Sequence, residues 1–595
     1  MSADGRIRRI VLILCFLLSG AASLMDQVVW LRYLGLSFGN TTWAAATLLA
    51  VFMGGLGLGA LWIGRWSDRW RRPLLWYAVF EVAVALFALA SPRLLGLLDV
   101  AYVALYRSFG QQLWPFALGR AALAALFLLP PTVMMGGTLP LVLRSALRKE
   151  DRVGRLTALL YGMNTVGAVG GTALAGFLSI RVLGLYGTLV LAAGANLLAA
   201  LGAVAISRPM GAVAHPARKP VLPWLKSLFF LMGATSLAYE VLWTRILVFY
   251  LGSSVYAYSI MLALVLTGIG VGSLLISPWA DRLSRPLLGL GLLELLLGLW
   301  IPIQVGTIER LNRILVEAVE LVEPGSYWGV AGSQLLATAV VLGPPTLLMG
   351  ASFPLAVRAA HRDLDRIGQE IGAVYGWNTL GAVVGSFGAG FLLIPWLGTQ
   401  NALLSVGMIN ALLAAWILGR ARVGSWNRVL WVAPALVLAA GMLFPADAVI
   451  LSAGIFRHDE SRNLVYFHED AQASVTIREL TTGDGGEPYL SLELNGVNVA
   501  GTSPDLFAVQ KMQGHLPLLL TEEPTDVVHI GFGSGGTAWA VSRHPVEEIL
   551  IVEISPQVLA ASDRFFPDIN HGVLDDPRVE VEINDGRNFV LASQR

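Results

Sequence analysis

The sequence predicts a multi-pass α-helical membrane protein, built as two parallel six-helix repeats and followed by a C-terminal α/β domain. Three observations carry this expectation. Of 595 residues, 55% are hydrophobic and 14% charged, whereas soluble domains average about 25% charged. Apolar runs long enough to span a bilayer follow one another as far as residue 420. After residue 457 the chain turns to short alternating and strand-like runs separated by glycine.

Six runs fall near 10–30, 42–64, 74–98, 114–135, 157–180 and 183–206. Six more fall near 224–248, 255–277, 286–305, 330–351, 371–394 and 399–419. A weaker thirteenth, "VLWVAPALVLAAGMLF", contains Pro434 and is followed by Pro445. The N-terminal "RIRRIVLILCFLLSGAAS" imitates a signal peptide, but its continuation recurs mid-chain, where no signal peptide acts. A net charge of +1 leaves no electrostatic footprint for nucleic acid. With Cys15 as the single cysteine, no intrachain disulfide or thiolate cage is possible, and no metal is expected.

"AASLMDQVVWLRYLGLSFG" from residue 21 aligns with "ATSLAYEVLWTRILVFYLG" from residue 234. Ser23 pairs with Ser236 (236 − 23 = 213), Trp30 with Trp243 and Arg32 with Arg245. The register continues through Asp68 and Asp281, Pro73 and Pro286, and Glu81 and Glu294. After one added residue, which makes the offset 214 (344 − 130 = 214), "PPTVMMGGTLP" matches "PPTLLMGASFP", and "YGMNTVGAVGG" matches "YGWNTLGAVVG". An even number of spans per copy makes the repeats parallel.

"GRWSDRWRRP" and "SPWADRLSRP" follow the second span of each copy. With the six-plus-six plan, they resemble the major facilitator superfamily, whose corresponding loop carries a glycine, an Asp-Arg pair and further arginines. The first copy keeps Gly64, Asp68, Arg69, Arg71 and Arg72, while the second has Ser277 for the glycine. Basic residues at 6–9, 65–72, 144–155, 218–226, 282–285, 358–366 and 420–428 fall on one side of an alternating count. By the positive-inside rule that side, with the N-terminus, is cytoplasmic in a bacterial plasma membrane.

Polar residues inside the runs are the candidates for a transport pathway: Glu81 and Glu294 in the third spans, Asn164 and Asn378 in the fifth. The glutamates have a second reading as interfacial acids, since each follows an arginine-rich loop by about ten residues. The asparagines sit in glycine-rich stretches suited to close packing with an interhelical hydrogen bond. Asp68 and Asp281 read as loop salt-bridge partners.

In the C-terminal region, "NLVYFHEDAQASVTIREL" and "PYLSLELNGVNVAG" read as antiparallel strands. "SPDLFAVQKMQGHLPLLL" reads as a helix with a Ser503 cap and Pro504 in the first turn. "DVVHIGFGSGG", "EEILIVEIS" and "RVEVEINDG" then give three strands with intervening helices, the start of a doubly wound sheet. Gly531, Gly533 and Gly535 allow a tight turn and close approach to a ligand. Glu553 ends the second strand, 18 residues on (553 − 535 = 18), where a carboxylate accepts from ribose hydroxyls. Asp585 ends the third, placed to accept from an adenine amino group.

"LNGVNVAGTSPDLFAVQKMQGHLPLLL" and the glycine, Glu553 and Asp585 stretches resemble the spermidine synthase family of aminopropyltransferases. The resemblance implies a small β-domain ahead of a Rossmann-type methyltransferase fold. It also implies decarboxylated S-adenosylmethionine or S-adenosylmethionine as cosubstrate, and an amine acceptor. Gln510 joins the nucleoside residues on this basis, and Asp505 falls in the substrate cleft. Several positions depart from the family pattern: Asn495, Val509, Lys511, Ser534, Gly536 and Ser555. These retain nucleoside binding and weaken polyamine binding, which needs carboxylates. The family's catalytic base follows a fourth strand, and this sequence reaches Arg595 before it. The Rossmann part is therefore expected to be truncated, and no catalytic residue is named.

The expected domains are repeat one at 1–210, repeat two at 211–422, a possible thirteenth span and linker at 423–456, a β-domain and connecting helix at 457–520, and a partial nucleoside-binding domain at 521–595. Twelve spans leave the tail cytoplasmic, and a thirteenth puts it outside. The expected function is a membrane-bound spermidine synthase-like transferase of aminopropyl or methyl groups. The alternative is a facilitator-type transporter with a nucleoside-sensing tail.

Overall fold

Pro73, Pro223 and Pro286 open three of the long helices in the computed structural model. It describes residues 3–38, 42–109, 113–147, 152–209, 222–251, 255–321, 327–362, 364–421, 437, 463–469, 473–481 and 487–593. The first half holds α1 (Ala3–Phe38), α2 (Thr42–Ser67), α3 (Pro73–Phe109), α4 (Leu113–Ala146), α5 (Val153–Ala173) and α6 (Ile180–Ile206). The second holds α7 (Pro223–Leu251), α8 (Val255–Ala280), α9 (Pro286–Leu321), α10 (Tyr327–Ala360), α11 (Ile367–Gly388) and α12 (Ile394–Arg420). Ten helical segments among the described residues are long and apolar enough to cross a membrane, by length and composition. The possible thirteenth span lies outside the described residues, apart from Val437.

The duplication reappears in the geometry. Both α5–α6 and α11–α12 are joined by a π-helical turn, Leu174–Ser179 and Ala389–Leu393. Each then breaks at a glycine with φ +72°, Gly184 and Gly398, a backbone state that a Cβ would strain. Trp30 Nε1 donates to Ser91 Oγ at 3.1 Å, and Trp243 Nε1 to Gln304 Oε1 at 2.9 Å. Asn164 donates to the Phe16 carbonyl at 2.9 Å, and Asn378 to that of Phe229 at 3.3 Å. These are interhelical bonds at close crossings, the packing role that the glycine-rich context suggests.

The halves meet through α2 against α11 and α5 against α8. At Gly64 a Cβ would lie 2.8 Å from the Gly368 carbonyl and 2.9 Å from the Gly372 Cα, so the crossing requires glycine. Loop acids then cross over between halves. Asp68 accepts from the backbone N–H groups of Gly368 and Gln369, both at 2.9 Å, capping α11. Asp281 accepts from those of Gly154 and Arg155, both at 2.8 Å, capping α5. Arg144 lies 3.6 Å from Asp68 and Arg358 3.7 Å from Asp281. The acids read as loop salt-bridge partners therefore also cap helices of the opposite half.

The C-terminal region has two sheets. Strands β1 (Asn463–Glu469), β2 (Ser474–Leu480), β3 (Tyr489–Leu494) and β4 (Val497–Gly501) form an antiparallel meander. Asn495 (φ +50°) and Gly496 (φ +80°) turn β3 into β4. Helix α13 (Pro504–Leu520) leads to a parallel sheet of β5 (Asp526–Ile530), β6 (Glu548–Glu553) and β7 (Val579–Ile583), in the order β5-β6-β7. Between and after these strands lie α14 (Gly536–Ser542), α15 (Pro556–Phe565), α16 (Pro567–Asn570) and α17 (Gly586–Ala592). Val475, Ile477 and Leu492 of the meander pack on Val558, Ala561, Phe566 and Ile569, which ties the two sheets together.

This region rests on one end of the helical bundle. Tyr106 Oη donates to Glu582 Oε1 at 3.1 Å and accepts from Asn584 Nδ2 at 2.6 Å. Asn588 Nδ2 donates to the Phe38 carbonyl at 2.7 Å. The backbone N–H and hydroxyl of Thr399 donate to Glu469 at 3.1 and 2.9 Å.

Candidate functional site

The glycine stretch is the turn that carries β5 into α14. Gly531, Gly533 and Gly535 have φ of +83°, +57° and +84°, so three positions within five residues use the left-handed region. Glu553, at the end of β6, reaches back across this turn and is 4% exposed. Its Oε2 accepts from the Phe532 N–H at 2.7 Å and its Oε1 from the Ser555 N–H at 3.0 Å. A carboxylate has about four acceptor positions. Two are used to fix the loop.

Gln510 is buried on α13 and joins that helix to the loop. Its Oε1 accepts from Ser534 Oγ at 2.7 Å and its Nε2 donates to the Gly501 carbonyl at 3.4 Å. Asp585 caps α17 after β7, accepting from the Asn588 N–H at 3.0 Å. Asp505 is exposed in the first turn of α13. The fold thus brings the glycine turn, Glu553 and Gln510 into one hydrogen-bonded unit. Asp585 follows the adjacent strand, and Asp505 is bonded to none of them among the described contacts. Lys511 is held elsewhere, its Nζ 4.1 Å from the Phe507 ring centroid and 4.0 Å from that of Trp539. Burial pushes His529, on β5, down to about 4.

Residues 506–595 match the Spermine/spermidine synthase domain. They form a spermidine synthase-like domain. Over 103 residues the chain is 42% identical to a polyamine aminopropyltransferase of Sodalis glossinidius, covering 17% of this chain and 36% of that protein. A spermine synthase of Arabidopsis thaliana is also 42% identical over 103 residues, 28% of its length. A polyamine aminopropyltransferase of Corynebacterium efficiens is 25% identical over 374 residues, 61% of this chain and 66% of that one. That stretch is longer than the whole C-terminal region, so it takes in helical residues. The match to the first two relatives spans only about a third of their length. A crystal structure of a spermidine synthase with the transition-state analogue AdoDATO is 28% identical, covering 21% of this chain and 42% of that one, with a TM-score of 0.19.

Away from the spermidine synthase-like domain, a cavity of about 260 Å³ lies between the two helical halves. Asn164 and Asn378 line it, as do Tyr161, Tyr375, Gln27 and Glu240. Among the described residues that line it, Glu240 is the one carboxylic acid, and none is a lysine, arginine or histidine. Glu81 and Glu294 do not line it. Each is buried within its own half, accepting from Ser19 Oγ and from Asn410 Nδ2, both at 2.6 Å. Sequence reasoning missed Glu240 and the fully buried Asp26, neither of whose oxygens has a hydrogen-bond partner among the described residues. The signal lay in the aligned stretches: Asp26 stands opposite Tyr239, and Gln27 opposite Glu240 (240 − 27 = 213).

Proposed function

We propose that the chain is a membrane-bound transferase of the spermidine synthase type in a bacterial plasma membrane, with its N-terminus cytoplasmic. It binds decarboxylated S-adenosylmethionine or S-adenosylmethionine and passes an aminopropyl or methyl group to an amine. The observation that carries this reading is Glu553, whose buried carboxylate holds the glycine turn through the Phe532 N–H while keeping acceptor positions for ribose. Asp585, ending the neighbouring strand, supplies the acceptor for an adenine amino group. The polyamine-synthesising relatives support the aminopropyl version.

Isothermal titration of the full chain with both cosubstrates and with methylthioadenosine tests it. Tighter binding of the decarboxylated form supports aminopropyl transfer, and preference for S-adenosylmethionine supports methyl transfer. Glu553→Ala and Asp585→Ala are expected to abolish binding. No binding of any of the three compounds removes the nucleoside reading.

The central cavity favours a second reading, a transporter with a nucleoside-sensing tail. Glu240, Asn164 and Asn378 would then line the solute path. Flux that falls in Glu240→Gln, with no product formed by the full chain, selects it.

A further inference from the structure

The three contacts that seat the spermidine synthase-like domain share one property. Phe38 is the last residue of α1, a helix whose first turns carry Arg6, Arg8 and Arg9. Tyr106 lies in the final turn of α3, which starts just after the arginine-rich stretch at 65–72. Thr399 lies near the start of α12, which finishes at Arg420. Each contact is therefore at the helix end remote from the arginine-rich stretches, although single arginines, Arg32 and Arg107, lie near that end. The three helices belong to both halves, so the agreement is not one local contact counted repeatedly.

The contacts are also specific. Tyr106 uses its hydroxyl twice, as donor to Glu582 and acceptor from Asn584. Glu469 receives both donors of Thr399, side chain and backbone. Phe38 stacks on Tyr102 at 5.0 Å beneath the Asn588 contact, so α17 sits over an aromatic pair.

Connectivity agrees with this placement. Helix α12 finishes at the arginine-rich end, whereas Glu469, the last residue of β1, meets Thr399 at the other. Forty-one residues separate Ala421 from Asn463 (463 − 421 − 1 = 41). A helix needs about 20 residues to cross the hydrocarbon layer. The joining sequence, outside the described residues apart from Val437, has the length for one such crossing.

We propose that the spermidine synthase-like domain is held on the non-cytoplasmic face of the membrane, docked on the arginine-poor end of the bundle through Tyr106, Phe38 and Thr399. This rests on the membrane reading above and on the positive-inside rule, and is independent of which cosubstrate binds. The site of Glu553 and Asp585 then draws its nucleoside and its amine from the outer compartment. A product made there is released outside without crossing the bilayer.

The single native cysteine makes the test direct. Cys15 is 4% exposed, and Cys15→Ser gives a cysteine-free full chain. On that background, Glu522→Cys marks an exposed position of the domain, and Arg71→Cys an exposed position of the arginine-rich loop. Intact cells are treated with a membrane-impermeant maleimide. Labelling of Glu522→Cys in intact cells, with Arg71→Cys labelled only after permeabilisation, is the expected result. The reverse pattern, or both sites protected until permeabilisation, overturns the proposal.

A second arm tests the docking. Tyr106→Cys with Asn584→Cys is expected to be joined by a short bis-maleimide, whereas Arg71→Cys with Asn584→Cys is not. Failure of the first pair to join while both cysteines react singly refutes the docking. Nucleoside titration of purified protein reads the site whichever face it occupies, so failure of the proposed function is distinguishable from failure of this placement.

Discussion

Replacing Glu553 with glutamine tests whether its carboxylate holds the glycine turn. In the native loop, two buried backbone N–H groups, of Phe532 and Ser555, point at a carboxylate that is 4% exposed. Hydrogen bonds to a charged group contribute about 1.5–3 kcal/mol each. Glutamine keeps one acceptor oxygen and turns an NH₂ towards the other N–H, so one of the two bonds is lost. A loosening of about 1.5–3 kcal/mol corresponds to roughly 10- to 150-fold at 1.4 kcal/mol per decade. Hydrogen exchange followed by mass spectrometry on peptides covering 527–540 and 550–560 reads this directly. The amide left facing the NH₂, that of Phe532 or that of Ser555, is expected to exchange faster in Glu553→Gln by about that factor, in the absence of any ligand. Unchanged exchange would show that the carboxylate does not hold the turn, and the argument for its spare acceptor positions would fall with it.

Gly535→Ala forces a Cβ to within 2.5 Å of the Asn570 Cβ at φ +84°; a cost of about 1–3 kcal/mol is expected, seen as faster proteolysis of the domain and weaker nucleoside titration. Arg478 and Glu493 form an ion pair at 3.3 Å with side chains 1% and 0% exposed. Arg478→Met alone leaves a buried charge and should destabilise the β-domain by about 3–5 kcal/mol; Arg478→Met/Glu493→Leu should recover much of it, with exchange in β2 and β3 as the readout. His529 titrates near 4 when folded and about 6.5 when unfolded. Between those values the unfolded chain binds more protons, so domain stability is full above about pH 6.5 and declines as pH falls towards 4. His529→Phe should flatten that decline in a proteolysis series, and an unaltered profile would assign it to other groups.

The duplication was legible because its anchors are rare residues at a fixed offset. Trp30 and Trp243, or Asp68 and Asp281, stand out against an apolar background, and their equivalent hydrogen bonds follow. The β-α-β order was legible for a similar reason, since Gly531, Glu553 and Asp585 each fall where a strand ends. Burial depth was not. Sequence position gives how far along a helix Glu81 lies but not which neighbours that helix presents. Its two readings, pathway or interface, both missed the enclosed bond to Ser19. Glu240 escaped notice because it sits among apolar residues in a helix whose counterpart carries the neutral Gln27. The crossing of Asp68 to α11 and Asp281 to α5 joins residues 300 and 127 positions apart, and no local pattern announces it.

That crossing has an evolutionary consequence. Neither half contains the acid that caps its own fifth helix, so a half-length chain could complete its folding only by pairing with a second copy about a two-fold axis. Fusing the copies keeps that exchange of caps and removes the constraint of identity. A symmetric pair would bring every axial residue twice, and an acid at position 240 would face its own twin across the cavity. In the fused chain the twin is Gln27. Covalent linkage is thus what permits one carboxyl group without a twin in a cavity that both halves line.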